Sequence, residues 1–398
     1  MEKPANQFMT LLASGRPILS DGAMGTVLHA RGVSFDECFD ALNLTNPALV
    51  AEVHREYIEA GSQMIQTNTF GANRYKLARH GLEHEVERIN TAGVELARRV
   101  ILASFKPVLI AGDVGPLGVR LAPFGRVKPE QAREAFAEQI NALVRAGIDV
   151  LIIETMSDLL EITEAVHAAR EIDPGLPVIA SMTFTRDDLT LLGDGPAKVA
   201  RTIHQAGATL IGVNCSGGPH QLLRILKQMR AAVPEGRFST MPNAGWPEQA
   251  GGRIMYPAGA DYFGDYALTF VKAGTCVIGG CCGTTPQHIA AMARALNNAP
   301  SDLVIQDENP PEEREQAQPG AQPTQLAQKL AAGKFVAAVE MDPPRGLSTH
   351  KLLAGASLLA ESGADVINVA DSPMARMRMS PWAVCNLIQR KIGIETVL

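Results

Sequence analysis

The stretch CVIGGCCGTTPQHI, residues 276–289, carries the reading of the whole chain. Cys276, Val277 and Ile278 form a short apolar run of the kind buried in a parallel sheet. Glycines and two adjacent cysteines then make a turn. Thr285 and Pro286 follow as an N-cap and a first helical residue. The same unit of strand, polar glycine-rich turn and helix recurs upstream. Its apolar runs end in ILSDGAMGT (18–26), MIQTNTFG (64–71), VLIAGDVGP (108–116), VLIIETM (150–156), VIASMTF (178–184), LIGVNCSGG (210–218) and STMPNAG (239–245). Each run can be marked by one polar residue: Asp21, Thr67, Asp113, Glu154, Thr183, Cys215, Asn243 and Cys281. The mean spacing is then about 37 residues, enough for one strand and one crossover helix.

The helices between these runs carry their own boundaries. Asn46 and Pro47 open one, Leu49, Val50, Val53, Tyr57 and Ile58 line a face of it, and Gly61 lies past its end. Pro129 opens another, with Ala132, Phe136, Ile140, Leu143 and Val144 on one side and Gly147 beyond. Eight such units with buried, hardly alternating strands predict an α/β fold, a (β/α)8 TIM barrel over residues 1–298. A doubly wound open sheet would place its ligand at a single switch point. Polar residues at the ends of all eight strands favour the barrel.

Outward from the barrel, composition narrows the function. Of 398 residues, 46% are hydrophobic and 20% charged, an ordinary globular balance that excludes a mostly disordered chain. The net charge of −6 gives no basic patch for nucleic acid. No apolar run approaches the roughly 18 residues of a membrane span, and the N-terminus lacks a signal-peptide core, so a cytoplasmic protein is expected. Six cysteines are too few for a disulfide scaffold in a chain this long.

Residues 299–325 break the pattern. Five prolines, five glutamines and six acids against one arginine read as an extended, solvated linker. Residues 326–398 resume it: FVAAVE (335–340), a helix near 349–362, DVINVA (365–370), a helix near 381–391 and IETVL (394–398) predict βαβαβ. A parallel sheet stopping there leads to the expectation that the chain is the front of a longer protein.

Cys215 ends the sixth run and Cys281 with Cys282 ends the eighth. Ends of alternate barrel strands face one mouth, so three thiols are placed to converge. A lone cysteine is usually an apolar core residue. Three of them in glycine-rich loops, where packing would prefer Val or Ile, fit zinc better, with a fourth position left for a substrate. Such a site suits a thiol held as thiolate; a zinc hydrolase would more often use His and carboxylate ligands. Asp21 and Glu154 fall in the same mouth and together suit an ammonium group, while the amides of Gly22 and Ala23 could receive a carboxylate. Ammonium, carboxylate and thiol describe an amino acid with a sulfhydryl. Among rival motifs, His80, Glu83 and His84 fit H-x-x-E-H, but Gly81 weakens the helix it needs. No phosphate-binding glycine loop is present. The stretch MARMRM (374–379) reads as packing or loop.

DGAMGT (21–26), QTNTF (66–70), IIET (152–155), GVNC (212–215), PNAG (242–245) and GGCCGT (279–284) together resemble the zinc-dependent homocysteine S-methyltransferase family, in order and over roughly residues 8–297. The resemblance implies Cys215, Cys281 and Cys282 as zinc ligands at the catalytic centre, and Asp21 and Glu154 as binders of the homocysteine amino group. Thr67 joins the substrate-binding set. Asn243 lies in the motif that in relatives fills the fourth zinc position until the substrate thiol displaces it. VEMDPPRG (339–346) and INVADSPMARMRMSP (367–381) resemble the start of a methylenetetrahydrofolate reductase barrel, a flavin enzyme. Glu340 matches the acid of its E-x-x-P-P-R motif, which donates a proton to the folate. FAD is therefore expected only of a complete second barrel.

The implied reaction is methylation of homocysteine to methionine. Its methyl donor stays open among methyltetrahydrofolate, S-methylmethionine, S-adenosylmethionine and methylcobalamin, as does oligomeric state. A betaine donor would want an aromatic cage, yet Phe70 and Tyr75 are the few aromatics near the mouth. A module that binds the thiol, with its donor supplied by a missing domain or a cobalamin partner, is the alternative.

Overall fold

The computed structural model describes residues 6–250, 253–299, 324–346, 348–371 and 378–398. It divides into two compact units, Met1–Glu308 and Asn309–Leu398.

In the first unit the eight expected runs form eight parallel strands: β1 (Ile18–Leu19), β2 (Met64–Gln66), β3 (Leu109–Val114), β4 (Val150–Met156), β5 (Val178–Met182), β6 (Leu210–Cys215), β7 (Phe238–Pro242) and, after a short hairpin, β10 (Thr275–Ile278). The hairpin strands β8 (Glu248–Ala250) and β9 (Arg253–Met255) are antiparallel and were not foreseen. The sheet runs β1-β10-β7-β6-β5-β4-β3-β2, and a single parallel bridge from Ser20 to Met64 brings its ends together into a nearly closed barrel.

The helices start and stop where their punctuation says. Pro47 begins Pro47–Ala60, and Gly61, at φ 109°, ends it in the left-handed conformation that costs glycine least. That helix turns Val50, Val53, Tyr57 and Ile58 onto the strands, each buried side chain contributing about 1.5–3 kcal/mol. Pro129–Ala146 ends the same way on Gly147. Pro286–Asn297 opens with a capping box in which the Thr285 amide donates to His288 Nδ1.

Strand periodicity divides the barrel in two directions. Leu19, Ile65, Ile110, Leu151, Ile153, Ala180, Ile211 and Val213 pack outward with the helices. Ile18, Met64, Leu109, Ala111, Val150, Ile152, Ile179, Leu210, Met241 and Val277 fill the interior. The N-terminal helix Gln7–Ala13 lays Phe8 and Leu12 on this interior set, and Asn6 Nδ2 ties it to the Asp149 carbonyl at 3.0 Å, just before β4. The strand-start end of the barrel is therefore stoppered. Cys276 packs at this end, away from Cys215, Cys281 and Cys282. Further along seven of the strands the interior parity turns polar: two residues on at Ser20, Gln66, Asp113, Glu154, Ser181 and Asn243, and four on from Leu210 at Asn214.

The second unit holds a parallel three-stranded sheet, β11 (Ala338–Met341), β12 (Val366–Val369) and β13 (Glu395–Val397), in that order. Helices His350–Glu361 and Pro381–Ile392 contribute Leu352, Ala356, Val384 and Ile388 to its core with Ile367 and Val369. An additional helix, Gln325–Ala331, begins at the last residue assigned to the linker. Of that linker, 300–323 lie outside the described residues, as do 372–377 of MARMRM and its flank. Among the described residues no helix is long and apolar enough to cross a membrane.

Candidate metal and substrate site

The end of β6 and the loop after β10 bring the cysteines together at the strand-end mouth. Cys215 closes β6, and it and Ser216 take left-handed backbone at φ 53° and 56°, a conformation a non-glycine residue holds at a cost of order 1–3 kcal/mol. The loop after β10 is pinned by main-chain bonds: Cys281 N to the Pro242 carbonyl at 2.8 Å, Gly280 N to the Asp21 carbonyl at 3.0 Å, and Ala244 N to the Cys282 carbonyl at 2.9 Å. Gly283, at φ 77°, has no room for a side chain, since a Cβ there would lie 2.2 Å from the Tyr256 ring.

The Sγ atoms of Cys215, Cys281 and Cys282 all lie within 4.8 Å of one another. A tetrahedral zinc with about 2.3 Å bonds needs sulfurs about 3.8 Å apart, so this spacing fits the ion. The electrostatics of the bare cluster are those of a shared thiolate. Hydrogen bonds from Cys281 and Cys282, and one from Asn243, push Cys215 down to about 3. The same contacts push Cys281 well up, and Cys282 to about 12. Asn243 is 3% exposed, and its Oδ1 has no partner although its Nδ2 reaches the Ser216 carbonyl at 3.1 Å. An unpartnered oxygen beside three sulfurs is a donor set suited to a thiophilic cation.

The carboxylates come from two other strands, Asp21 just past β1, which pairs with β10, and Glu154 from β4, two strands from β6. Asp21, 2% exposed, accepts from the Gln66 amide at 2.9 Å, from Gln66 Nε2 at 3.0 Å and from Ser20 Oγ at 3.2 Å. Burial nevertheless raises it to about 6. Glu154 lies at a bulge in β4, where the register to β5 shifts between Ile153 and Met156 and Thr155 turns left-handed at φ 57°. Burial, then Cys215 and Asp21, raise Glu154 to about 8.

Asn214 holds that bulge. Its Oδ1 accepts from Thr155 N at 2.8 Å, while Nδ2 donates to Thr155 Oγ1 at 2.8 Å and Glu154 Oε2 at 2.9 Å and lies 3.7 Å from Cys281 Sγ. Sequence reasoning passed over Asn214, although counting by twos from Leu210 would have placed it inside the barrel. It also missed Tyr256, whose hydroxyl is held up first by burial and then by Cys282, to which it is hydrogen-bonded. No local signal marks Tyr256.

The remaining candidates are placed as follows. The Ala23 amide is already given to Thr284 Oγ1 at 3.1 Å. Gly22 is confined by Thr284 and the Tyr57 hydroxyl, 2.6 and 2.9 Å from where a Cβ would stand. Thr67 Oγ1 bonds Thr69 Oγ1 at 2.6 Å and accepts from Asp113 N at 3.0 Å, so its hydroxyl joins β2 to β3. Glu340 is exposed on β11, in the other unit. His80 closes a 3-10 turn and Gly81 reverses at φ 69°, leaving Glu83 and the 94%-exposed His84 as a loose 3.9 Å surface pair. The H-x-x-E-H stretch therefore puts no two histidines on one helix face.

Residues 18–296 match the family model described as homocysteine S-methyltransferase. The methionine synthase of Mycobacterium tuberculosis is 32% identical over 301 residues, 72% of this chain and 25% of that protein. That of Mycobacterium leprae is 31% identical over 297 residues, 71% of this chain and 24% of its own length. The chain thus spans about a quarter of these curated relatives. The metallated crystal structure of the homocysteine methyltransferase MmuM from Escherichia coli superposes with a TM-score of 0.60 at 28% identity, covering 72% of this chain and 98% of that one. The fold, the matched span and these relatives agree: the chain belongs to the homocysteine S-methyltransferase family.

Proposed function

We propose that the barrel transfers a methyl group to the thiol of homocysteine, forming methionine, with zinc held by Cys215, Cys281 and Cys282. The observation that carries this reading is the convergence of the three sulfurs with Asp21 and Glu154 in one mouth. Zinc, when bound, supplies the charge that keeps a substrate thiol ionised at neutral pH. Asn243 Oδ1, which has no hydrogen-bond partner, would complete the donor set before the substrate thiol binds. Asp21 and Glu154 receive the substrate ammonium, and Asn214 aims Glu154 at it. Since Ala23 has given its amide to Thr284, Gly22 is the one of the two expected amides left to meet the substrate carboxylate. The substrate sulfur attacks the donor's methyl carbon, forming the new S–C bond as the old bond to methyl breaks. The electron pair leaves with the donor.

Phe70 does not favour a betaine donor, because Lys76 Nζ already lies 4.1 Å from its ring centroid and opposes a second cation there. Methyltetrahydrofolate, S-methylmethionine, S-adenosylmethionine and methylcobalamin are the donors to assay. On this reading residues 1–298 are the homocysteine unit of a cytoplasmic enzyme. Residues 299–325 are a linker, and 326–398 begin a methylenetetrahydrofolate reductase-like barrel. The E-x-x-P-P-R match at Glu340 and the parallel β11-β12-β13 sheet support that last assignment. FAD belongs to the complete second barrel, and no residue here is assigned to it.

X-ray absorption at the zinc edge tests the reading. Three sulfurs and one lighter ligand, becoming four sulfurs with homocysteine, are expected. Absence of zinc, or an unchanged sulfur count, would overturn it.

A further inference from the structure

Asp113 ends β3 at the interior polar level, 6% exposed, and its Oδ1 has no hydrogen-bond partner. A buried carboxylate oxygen left bare costs several times what an ordinary hydrogen bond contributes, unless something arrives to meet it. Its surroundings say what. Asp113 feels the negative charge of Glu154, Asp40 and Asp21, while Lys76 opposes them. Glu154 and Asp21 feel each other as well. Three carboxylates, those of Asp113 and Asp21 buried and that of Glu154 half-buried, therefore close a triangle at the mouth. Among the described residues none of the three forms an ion pair with a lysine, arginine or histidine; Lys76 rests on Phe70. The triangle lacks a cation of its own.

An α-ammonium carries three N–H donors. Asp21 already accepts three bonds and Glu154 accepts one, from Asn214, so the third acceptor needed is the bare oxygen of Asp113. We propose that Asp113 is a specificity-determining residue that takes the third N–H of the homocysteine ammonium, so that the site selects α-amino thiols over thiols lacking the amine. The inference rests on the homocysteine reading above. Asp113 neither touches nor neighbours the cysteines in sequence, so it acts on substrate choice and not on the metal.

The test is calorimetric binding to the zinc-loaded chain of two thiols, L-homocysteine and its des-amino analogue 4-sulfanylbutanoate, by wild type and Asp113→Asn. The variant keeps the shape and removes the charge. Homocysteine affinity is expected to fall about 10- to 100-fold, the range of one charge-assisted hydrogen bond, while the analogue's affinity stays within about twofold. Because the ratio of the two affinities is internal to each variant, partial unfolding scales both and cancels. An equal loss for both thiols, or an unchanged ratio, would overturn the role of Asp113. A wild type that fails to bind homocysteine would instead overturn the reading beneath it. Zinc content, expected unchanged in Asp113→Asn, separates the two.

Discussion

Replacing Asn214 by Ala tests whether the site is assembled by one side chain. Asn214 is fully buried and bridges β6 to the bulge in β4. The substitution removes two bonds to Thr155, each contributing about 1 kcal/mol net, and one to the Glu154 carboxyl, contributing about 1.5–3 kcal/mol. It also leaves Thr155 in left-handed backbone with nothing holding it there. The expected loss is about 3.5–5 kcal/mol, which at about 2–4 °C per kcal/mol lowers Tm by about 7–20 °C. Homocysteine affinity should fall about tenfold or more in the same variant, because Glu154 is no longer aimed. Thermal melts followed by circular dichroism and titration calorimetry on one preparation would read both. A Tm within a degree of wild type would refute the stability argument. A lowered Tm with unchanged homocysteine affinity would show that Asn214 supports the fold without positioning Glu154.

Three further outcomes are expected. Cys281→Ala should purify without zinc and without methyl transfer; a full equivalent of zinc by elemental analysis would contradict the ligand assignment. Gly283→Ala forces a Cβ into the Tyr256 ring from a left-handed position, and should weaken zinc retention against a chelator; unchanged retention would show that Tyr256 moves aside freely. His54 is fully buried without a ring partner, and burial lowers it to about 4. The unfolded chain takes up a proton near pH 6.5 that the folded chain refuses. Stability should therefore fall by about 3 kcal/mol as pH drops from about 6.5 to about 4, and level off below. His54→Leu should flatten that slope in urea melts at successive pH values, and an unaltered slope would place its origin elsewhere.

Much of this was legible because it is written locally. Strand ends such as Val277-Ile278 before Gly279, and helix limits such as Pro47 and Gly61, are decided by neighbours in sequence, so eight strands could be counted and their mouth inferred. The cysteines were legible for the same reason, since Cys215 ends a strand and Cys281 and Cys282 follow one, and the repeat fixes the direction of both. What escaped depends on distant residues. The Ala23 amide is lost to Thr284, 261 positions away. Asn214 matters only because β4 carries a bulge at Glu154, and Tyr256 reaches Cys282 only through the hairpin that follows β7. Such meetings are set by packing and leave no period behind. The Gln325–Ala331 helix hid in a segment whose proline and glutamine content argued for extended chain.

The helix Gln7–Ala13 gives the barrel one door. With Phe8 and Leu12 seated under the interior side chains, whatever reaches the sulfur cluster enters and departs by the strand-end mouth. The thiol must lie innermost, against the cysteines, and the methyl donor must come to rest above it like a second passenger in a blind corridor. Traffic in such a corridor is last in, first out. On the proposed function, homocysteine should board before the donor, the spent donor should leave before methionine, and excess donor should obstruct homocysteine entry. Steady-state kinetics should therefore show a compulsory order, with substrate inhibition by the donor and methionine competitive against homocysteine alone.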